Sequence, residues 1–340
     1  MRVLVTGGAG FIGAHIVRAL IERGHDVSVV DDLSGGFASN VPVDTLIVGG
    51  CEDEELMDSL CGKKQFDVLV HCAANARESA SQFQPVAVTR RNLMAYVTAL
   101  TSALKHGCKN VVMLSSMSVY GVGEQPPPFD ETLRQSPEDV YAVNKTAMEQ
   151  VTAIMSKVHP FNWVIIRPHN CFGELQSLND KLRNVFAIWM NRIMRGEPIQ
   201  IFGDGNQTRA FSYIEDSLPC FIRAIERTKS YNLETINLGG IIPTSLSAAA
   251  KVVKLAMGVP EHPIEHINSR PLEVKHAFPT YQKSVDLLGY CENVGWEEGV
   301  VRMANWAKTR GPQPWINNDA IELDSPLLPD PWREVIGQTK

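Results

Sequence analysis

Over residues 1–170, short β-branched runs alternate with longer amphipathic stretches, a pattern that leaves little room for anything but a parallel sheet covered by helices. Candidate strands are Val3–Thr6, Asp26–Asp31, Thr45–Val48, Val68–Cys72, Val111–Leu114 and Trp163–Ile166. Between them, Phe11–Arg23, Pro85–His106 and Val140–Lys157 have helical length and spacing. The expected fold class is α/β, a doubly wound parallel sheet. Past Arg167-Pro168 the alternation breaks up among prolines and glycines, which predicts a smaller mixed α/β lobe. The expected division is 1–168 for the sheet domain, with a later segment near 205–240 returning to it, and 169–310 for the second lobe. The proline-rich stretch 311–340 is expected to wrap the surface or trail as coil.

Length and composition narrow the function. A chain of 340 residues, 44% hydrophobic, holds more than the ~100–200 residues of one ordinary domain. Its 32 basic and 38 acidic residues are well mixed, which argues against a nucleic-acid or membrane-surface partner. No apolar run approaches the ~18 residues of a membrane span, and Met1–Thr6 passes straight into a glycine-rich turn, so a cytoplasmic location is expected. The seven cysteines are scattered, odd in number and without a C-x-x-C pair, so free thiols and no metal site are expected.

The run Gly7-Gly8-Ala9-Gly10-Phe11-Ile12-Gly13 follows the first strand and opens a helix. Glycines there let the backbone approach a pyrophosphate, and the helix N-terminus offers unpaired N–H groups, so phosphate is expected at Gly8 to Ile12. About 20 residues on, the second strand ends in Asp31, placed to accept hydrogen bonds from a ribose, with Asp32 beside it. A carboxylate there repels a 2′-phosphate, which favours NAD over NADP.

Tyr141 and Lys145 stand four apart on a candidate helix and project from one face. Such a pair alone is commonplace. Upstream, however, the strand Val111–Leu114 runs into Ser115-Ser116-Met117-Ser118-Val119-Tyr120-Gly121, placing hydroxyls at the C-terminal end of a central strand, where open α/β sheets bind ligands. Lowering a tyrosine pKa from about 10 to near 7 needs about 4 kcal/mol, the scale of effect expected of a neighbouring ammonium together with a cationic nicotinamide.

With these residues, and with G-x-x-G-x-x-G spacing at Gly7, Gly10 and Gly13, the chain resembles the extended short-chain dehydrogenase/reductases, the nucleotide-sugar epimerase and dehydratase family, over nearly its whole length. The resemblance implies a Rossmann-type fold and a triad in which Tyr141 is the base. Lys145 would hold the nicotinamide ribose and lower the tyrosine pKa, and Ser116 would bond the reacting oxygen, with Ser115 the next-best hydroxyl. It also assigns Phe11, Ile12, Cys51, Cys72, Ala73, Ala74, Asn92 and Ser115 to the cofactor side, and reads His71 as a packed histidine. A homodimer is implied, paired through Pro85–His106 and Val140–Lys157.

On the substrate side the resemblance points to Asn170 in Arg167-Pro168-His169-Asn170-Cys171-Phe172-Gly173, to Asn184-Val185, to the edge segment Gln200–Phe202, and to Arg209 and Arg270. Two arginines can clamp a diphosphate through charge-assisted bidentate bonds. Three departures bear on the reaction. Gly50-Cys51 stands where many relatives carry an adenine-binding Asp; Ser116-Met117-Ser118 replaces the Thr-Asp-Glu of dehydratases; and Glu174-Leu175-Gln176-Ser177 lacks the arginine of glucuronate enzymes, for which Lys181 or Arg183 could substitute. The reading these support is NAD-dependent C4 epimerisation of a UDP-hexose. The alternatives are a dehydratase, a dehydrogenase, a UDP-uronate or UDP-N-acetylhexosamine epimerase admitted by the small Ala277, or a non-catalytic NAD-binding protein.

Overall fold

The computed structural model describes residues 1–316 and 320–333. Its first half runs β1 (Arg2–Thr6), α1 (Phe11–Glu22), β2 (Asp26–Asp31), β3 (Leu46–Val48), α2 (Glu54–Lys64) and β4 (Val68–His71). There follow α3 (Pro85–Thr89), α4 (Ala95–Lys105), β5 (Asn110–Leu114), α5 (Val140–Met155) and β6 (Asn162–Pro168). The second half contributes β7 (Cys171–Phe172), α6 (Val185–Met194), β8 (Ile199–Phe202), β9 (Thr208–Ala210), β10 (Ser212–Tyr213), α7 (Ile214–Glu226) and β11 (Glu234–Leu238). It closes with β12 (Pro243–Ser245), α8 (Leu246–Met257), β13 (Ile264–Ile267), β14 (His276–Ala277), α9 (Gln282–Leu288), α10 (Trp296–Arg310) and the single turn α11 (Asp330–Arg333).

Seven parallel strands in the order β11-β6-β5-β4-β1-β2-β3 form the main sheet, a Rossmann-type doubly wound arrangement. The central strands β1, β4 and β5 are buried on both faces, which is why they read as continuous Val/Leu runs without alternation. The strand order reverses between β1 and β4. The crevice at their C-terminal ends is where such sheets bind ligands, and the glycine loop, Asp31, Cys72 and Ser115 all sit at that edge.

The seventh strand, β11, extends the sheet beside β6, with Ile236 against Ile166. The stretch expected as one helix over 85–106 is two helices joined by a π-helical turn, Arg90–Met94. One wide turn rotates Asn92 inward, where it is fully buried. The second lobe is built from short paired strands, β8 with β13 and β9 with β12 and β14, over a core that includes Phe186, Trp189, Phe211 and Trp296. Among the described residues no helix is long and apolar enough to cross a membrane.

A buried network ties the centre together. The Arg167 guanidinium donates to both Glu149 carboxylate oxygens (2.9 and 2.6 Å) and to the Tyr120 hydroxyl (2.6 Å), which in turn donates to Asn237 Oδ1 (2.8 Å). Arg167, the first residue of the expected substrate segment, is thereby a strut between β6, α5 and β11.

Candidate active site

The cleft at the switch point begins at the glycine loop. Gly7 has φ of +69°, and a Cβ there would lie 2.5 Å from the Ala73 backbone; a Cβ on Gly13 would lie 2.2 Å from the Gly7 carbonyl. No side chain fits at either position, so β1, α1 and the end of β4 close up into a bare backbone cradle. Gly7, Gly10, Phe11, Ile12 and Gly13 line the cleft, as do Cys72, Ala73 and Ala74 opposite. Gly8 and Ala9 do not: Gly8 packs on Val29 and Ala9 is buried, so the backbone facing a phosphate is narrower than the expected Gly8–Ile12.

Asp31 is 6% exposed and fixed by two backbone donors, Ala9 N–H to Oδ2 (2.9 Å) and Leu33 N–H to Oδ1 (2.8 Å). Burial pushes its carboxyl above the usual range, while the Leu33 and Ala9 donors pull it back. Asp32 lines the cleft beside it and pairs with Arg91 at 3.2 Å. Cys51 lines the same end with a buried thiol raised by burial; Glu52, its neighbour, also lines the cleft and brings a carboxylate that a search for an Asp after β3 misses.

Asn92 is the cofactor-side residue that the structure places elsewhere. It does not reach the cleft; its side chain accepts from Asn75 N–H (2.7 Å) and donates to Asn75 O (3.2 Å), holding the loop after β4 from beneath. His71 is likewise fully buried outside the cleft, its Nδ1 2.8 Å from the Thr6 hydroxyl, and burial lowers its pKa well below the usual imidazole value.

Ser116, Tyr141 and Lys145 converge at the middle of the cleft. Asp139 caps α5 by accepting from Ala142 N–H (2.8 Å), which starts the helix one residue before Tyr141 and puts Tyr141 and Lys145 on its cleft-facing side. Ser116 Oγ accepts from Ser118 N–H (3.1 Å) and from the Ser118 hydroxyl (2.9 Å), so Ser118 orients the hydroxyl beside Tyr141. Ser115 lines the cleft, but its hydroxyl donates to Glu149 (2.5 Å), which leaves Ser116 as the hydroxyl available to a substrate.

Lys145 is buried, donates to the Leu114 carbonyl (2.7 Å) and lies 5.8 Å from the Tyr141 ring centroid. Burial lowers its pKa to about 8, against the raising influence of Cys72 and Glu149. The Tyr141 phenol stands above its ordinary value; the lowering expected from the sequence counts on a cationic nicotinamide beside Lys145. Burial is the main cause; the Ser116 hydrogen bond lowers it, Glu78 and Asp139 raise it, and Arg183 lowers it.

Those last groups show what the sequence reading missed. Glu78, from the loop after β4, and Asp139 both line the cleft at Tyr141. Asp139 is pushed up to about 7 by burial and by the charge of Glu78, while the Ala142, Ser81 and Tyr141 donors act to lower it. A helix-capping residue two before the tyrosine was the signal for Asp139; Glu78 had none.

The substrate-side candidates Asn170, Asn184, Val185, Gln200, Phe202, Arg209 and Arg270 all line the far half of the cleft. Asn170 adopts a left-handed φ of 31° and donates to Ala210 O (3.1 Å), tying β7 to β9. Arg209 and Arg270 converge on Glu273, at 3.8 and 2.5 Å. Glu273, three residues past Arg270, thus holds the guanidinium pair in register. Burial lowers the pKa of Arg209, with Glu78 and Glu273 opposing and Arg270 adding to the effect. Lys181 and Arg183 also line the cleft, and Arg183 pairs with Asp180 at 3.2 Å.

A doubly wound sheet, a bare glycine cradle with the Asp31 carboxylate beside it, and a cleft lined by Ser116 and by the buried Tyr141 and Lys145 define a nicotinamide-dependent enzyme class. Residues 3–239 match the NAD-dependent epimerase/dehydratase family, and the chain belongs to it. It is similar to a UDP-glucose 4-epimerase of Mycolicibacterium smegmatis, 28% identical over 319 residues, which span 91% of this chain and 99% of the relative. It is equally similar to a UDP-N-acetyl-alpha-D-glucosaminuronate decarboxylase of Bacillus cytotoxicus, 28% identical over 331 residues, 90% of this chain and 97% of the relative. Among solved structures, the Thermotoga maritima UDP-glucose 4-epimerase with UDP-glucose matches with a TM-score of 0.86 at 29% identity, over 91% of this chain and 99% of that one. The cofactor is therefore NAD, and the bare cradle at Gly7 and Gly13 with the pinned Asp31 carboxylate fits it.

Proposed function

We propose that the protein epimerises a UDP-hexose of the UDP-glucose/UDP-galactose type at C4 through a transient 4-keto sugar. The observation that carries this reading is the position of Ser116, Tyr141 and Lys145 between two subsites of one cleft: the glycine cradle with Asp31 on one side, and the paired Arg209 and Arg270 on the other. A diphosphate held by the two guanidiniums leaves its sugar pointing back toward the tyrosine.

When bound, NAD⁺ supplies a reversible hydride acceptor and a positive charge beside the phenol. Tyr141 takes the proton of the C4 hydroxyl and later returns it, general acid–base work worth about 10²–10⁴ in rate. Ser116, oriented by Ser118, bonds the same oxygen. Lys145, fixed by the Leu114 carbonyl, keeps a cation under the tyrosine ring and presents its remaining protons to the ribose.

A second reading has one observation behind it. The Glu78 and Asp139 carboxyls beside Tyr141 supply acids that the Ser116-Met117-Ser118 segment lacks, and an acid is what elimination of a sugar hydroxyl needs. Incubation with UDP-glucose separates the two: the epimerase reading expects UDP-galactose and no net NADH, whereas a keto-deoxy product or stoichiometric NADH overturns it. UDP-uronates and UDP-N-acetylhexosamines belong in the same panel, since Arg183 and the small Ala277 line the cleft.

We further propose a homodimer in the cytoplasm. Val86, Met94, Val143 and Ile154 stand 48–62% exposed on α3, the π turn and α5, an apolar face suited to a second copy. The seven unpaired thiols fit a reducing compartment.

A further inference from the structure

The stretch after α10 returns to the cleft. Glu322 and Leu323 donate backbone N–H groups to the Phe83 carbonyl (2.8 and 3.2 Å), and the Glu322 carboxylate accepts from Val86 and Ala87 N–H at the first turn of α3 (2.8 Å each). Arg333 ties the strap to itself through Asp324 and the Ser325 carbonyl, each at 2.8 Å. So anchored, the strap buries Ile321, Leu328 and Trp332 against Ala80 and Phe83 of the first domain and against Leu182 and Phe202 of the second lobe.

Trp332 is 3% exposed and lies 5.8 Å from the Phe202 ring, while the Arg270 guanidinium covers Phe202 at 5.1 Å. Trp332, with Pro331 before it, lines the same end of the cleft as Gln200, Phe202 and Arg270. That end therefore offers two aromatic rings, a guanidinium plane and an edge strand, the set of partners that a flat heterocycle stacks on and pairs with. The relatives named above are matched over 97–99% of their own length but leave about a tenth of this chain unmatched, so this chain carries length that those matches do not use.

We infer that Trp332 is a wall of the nucleobase subsite, brought against Phe202 by the C-terminal strap and setting the affinity for the base end of the nucleotide. The inference rests on the UDP-sugar reading of the cleft. Its chemistry is stacking, so the effect belongs to the base and not to the diphosphate, which Arg209 and Arg270 hold.

The test is calorimetric titration of UDP, uridine, pyrophosphate and NAD into the full-length protein, as wild type, Trp332→Leu, Trp332→Ala and Trp332→Phe. Loss of one base-stacking partner predicts roughly tenfold weaker UDP and uridine binding for Trp332→Leu and Trp332→Ala. Pyrophosphate and NAD should be unchanged, and Trp332→Phe should restore most of the affinity. Trp332→Leu keeps apolar bulk in the cluster and remains informative where Trp332→Ala fails to fold. Unchanged UDP and uridine affinity in Trp332→Leu overturns the inference while leaving the UDP-sugar reading intact. Equal weakening of pyrophosphate also overturns it, by showing a general structural role. A wild type that binds no UDP overturns both.

Discussion

Tyr141 carries the heaviest chemical assignment, and Tyr141→Phe removes one oxygen from a buried site with little loss of contact. The expected outcome is a fall in kcat of at least about 100-fold with NAD and UDP affinities close to wild type. Retention of more than about a tenth of the activity would remove Tyr141 from the role of base. Asp139 gives a second test, through pH. Its carboxyl is raised to about 7 in the folded protein from an ordinary value of 3.8, so the native state binds the extra proton between those limits. The stability this contributes is present below about pH 4 and lost as pH rises through 7. Asp139→Asn keeps an oxygen for the helix cap and should flatten the fall in melting temperature between pH 5 and pH 8. An unchanged pH dependence would show that Asp139 is not the group responsible. Ser116, Tyr141 and Lys145 were visible in the sequence because their spacing is local to one strand end and one helix turn. Glu78 and Glu273 were not, and Asp139 was legible only as a helix cap, since a carboxylate's meaning depends on what the fold sets opposite it.

Among the elements, the strands of the main sheet were legible because burial on both faces leaves an unbroken apolar run, whereas β11 follows a long excursion and reads as one short run among several. The π turn at Arg90–Met94 was invisible: nothing in the local pattern distinguishes it from a continuous helix, yet it turns Asn92 under the loop after β4 and out of the cleft. The faces of α3 and α5 that point outward carry their own prediction. Wild-type protein should sediment as a dimer at micromolar concentration, and Val143→Glu with Ile154→Glu, both at exposed positions, should give folded monomers. A monomeric wild type would refute the pairing.

On the scale of the whole molecule, the sheet domain supplies the glycine cradle and the Ser116, Tyr141 and Lys145 set, the mixed lobe supplies the arginine pair, and the strap over residues 320–333 bridges the two beside the cleft. The alternation of strands and helices announced the first of these, and family-like motifs the second. The strap lay beyond a sequence reading because proline-rich coil has no periodicity; its course shows in the bonds of Glu322 and Leu323 to Phe83 and in the contact of Trp332 with Phe202 and Phe83. The central claim is that one cleft oxidises and re-reduces the same carbon without releasing the hydride. UDP-glucose deuterated at C4, incubated with the enzyme and analysed by mass spectrometry and NMR, tests it directly. The account predicts UDP-galactose that keeps its deuterium at C4 with no net NADH; UDP-galactose that has lost the label to solvent, or labelled NADH released in stoichiometric amount, would contradict it.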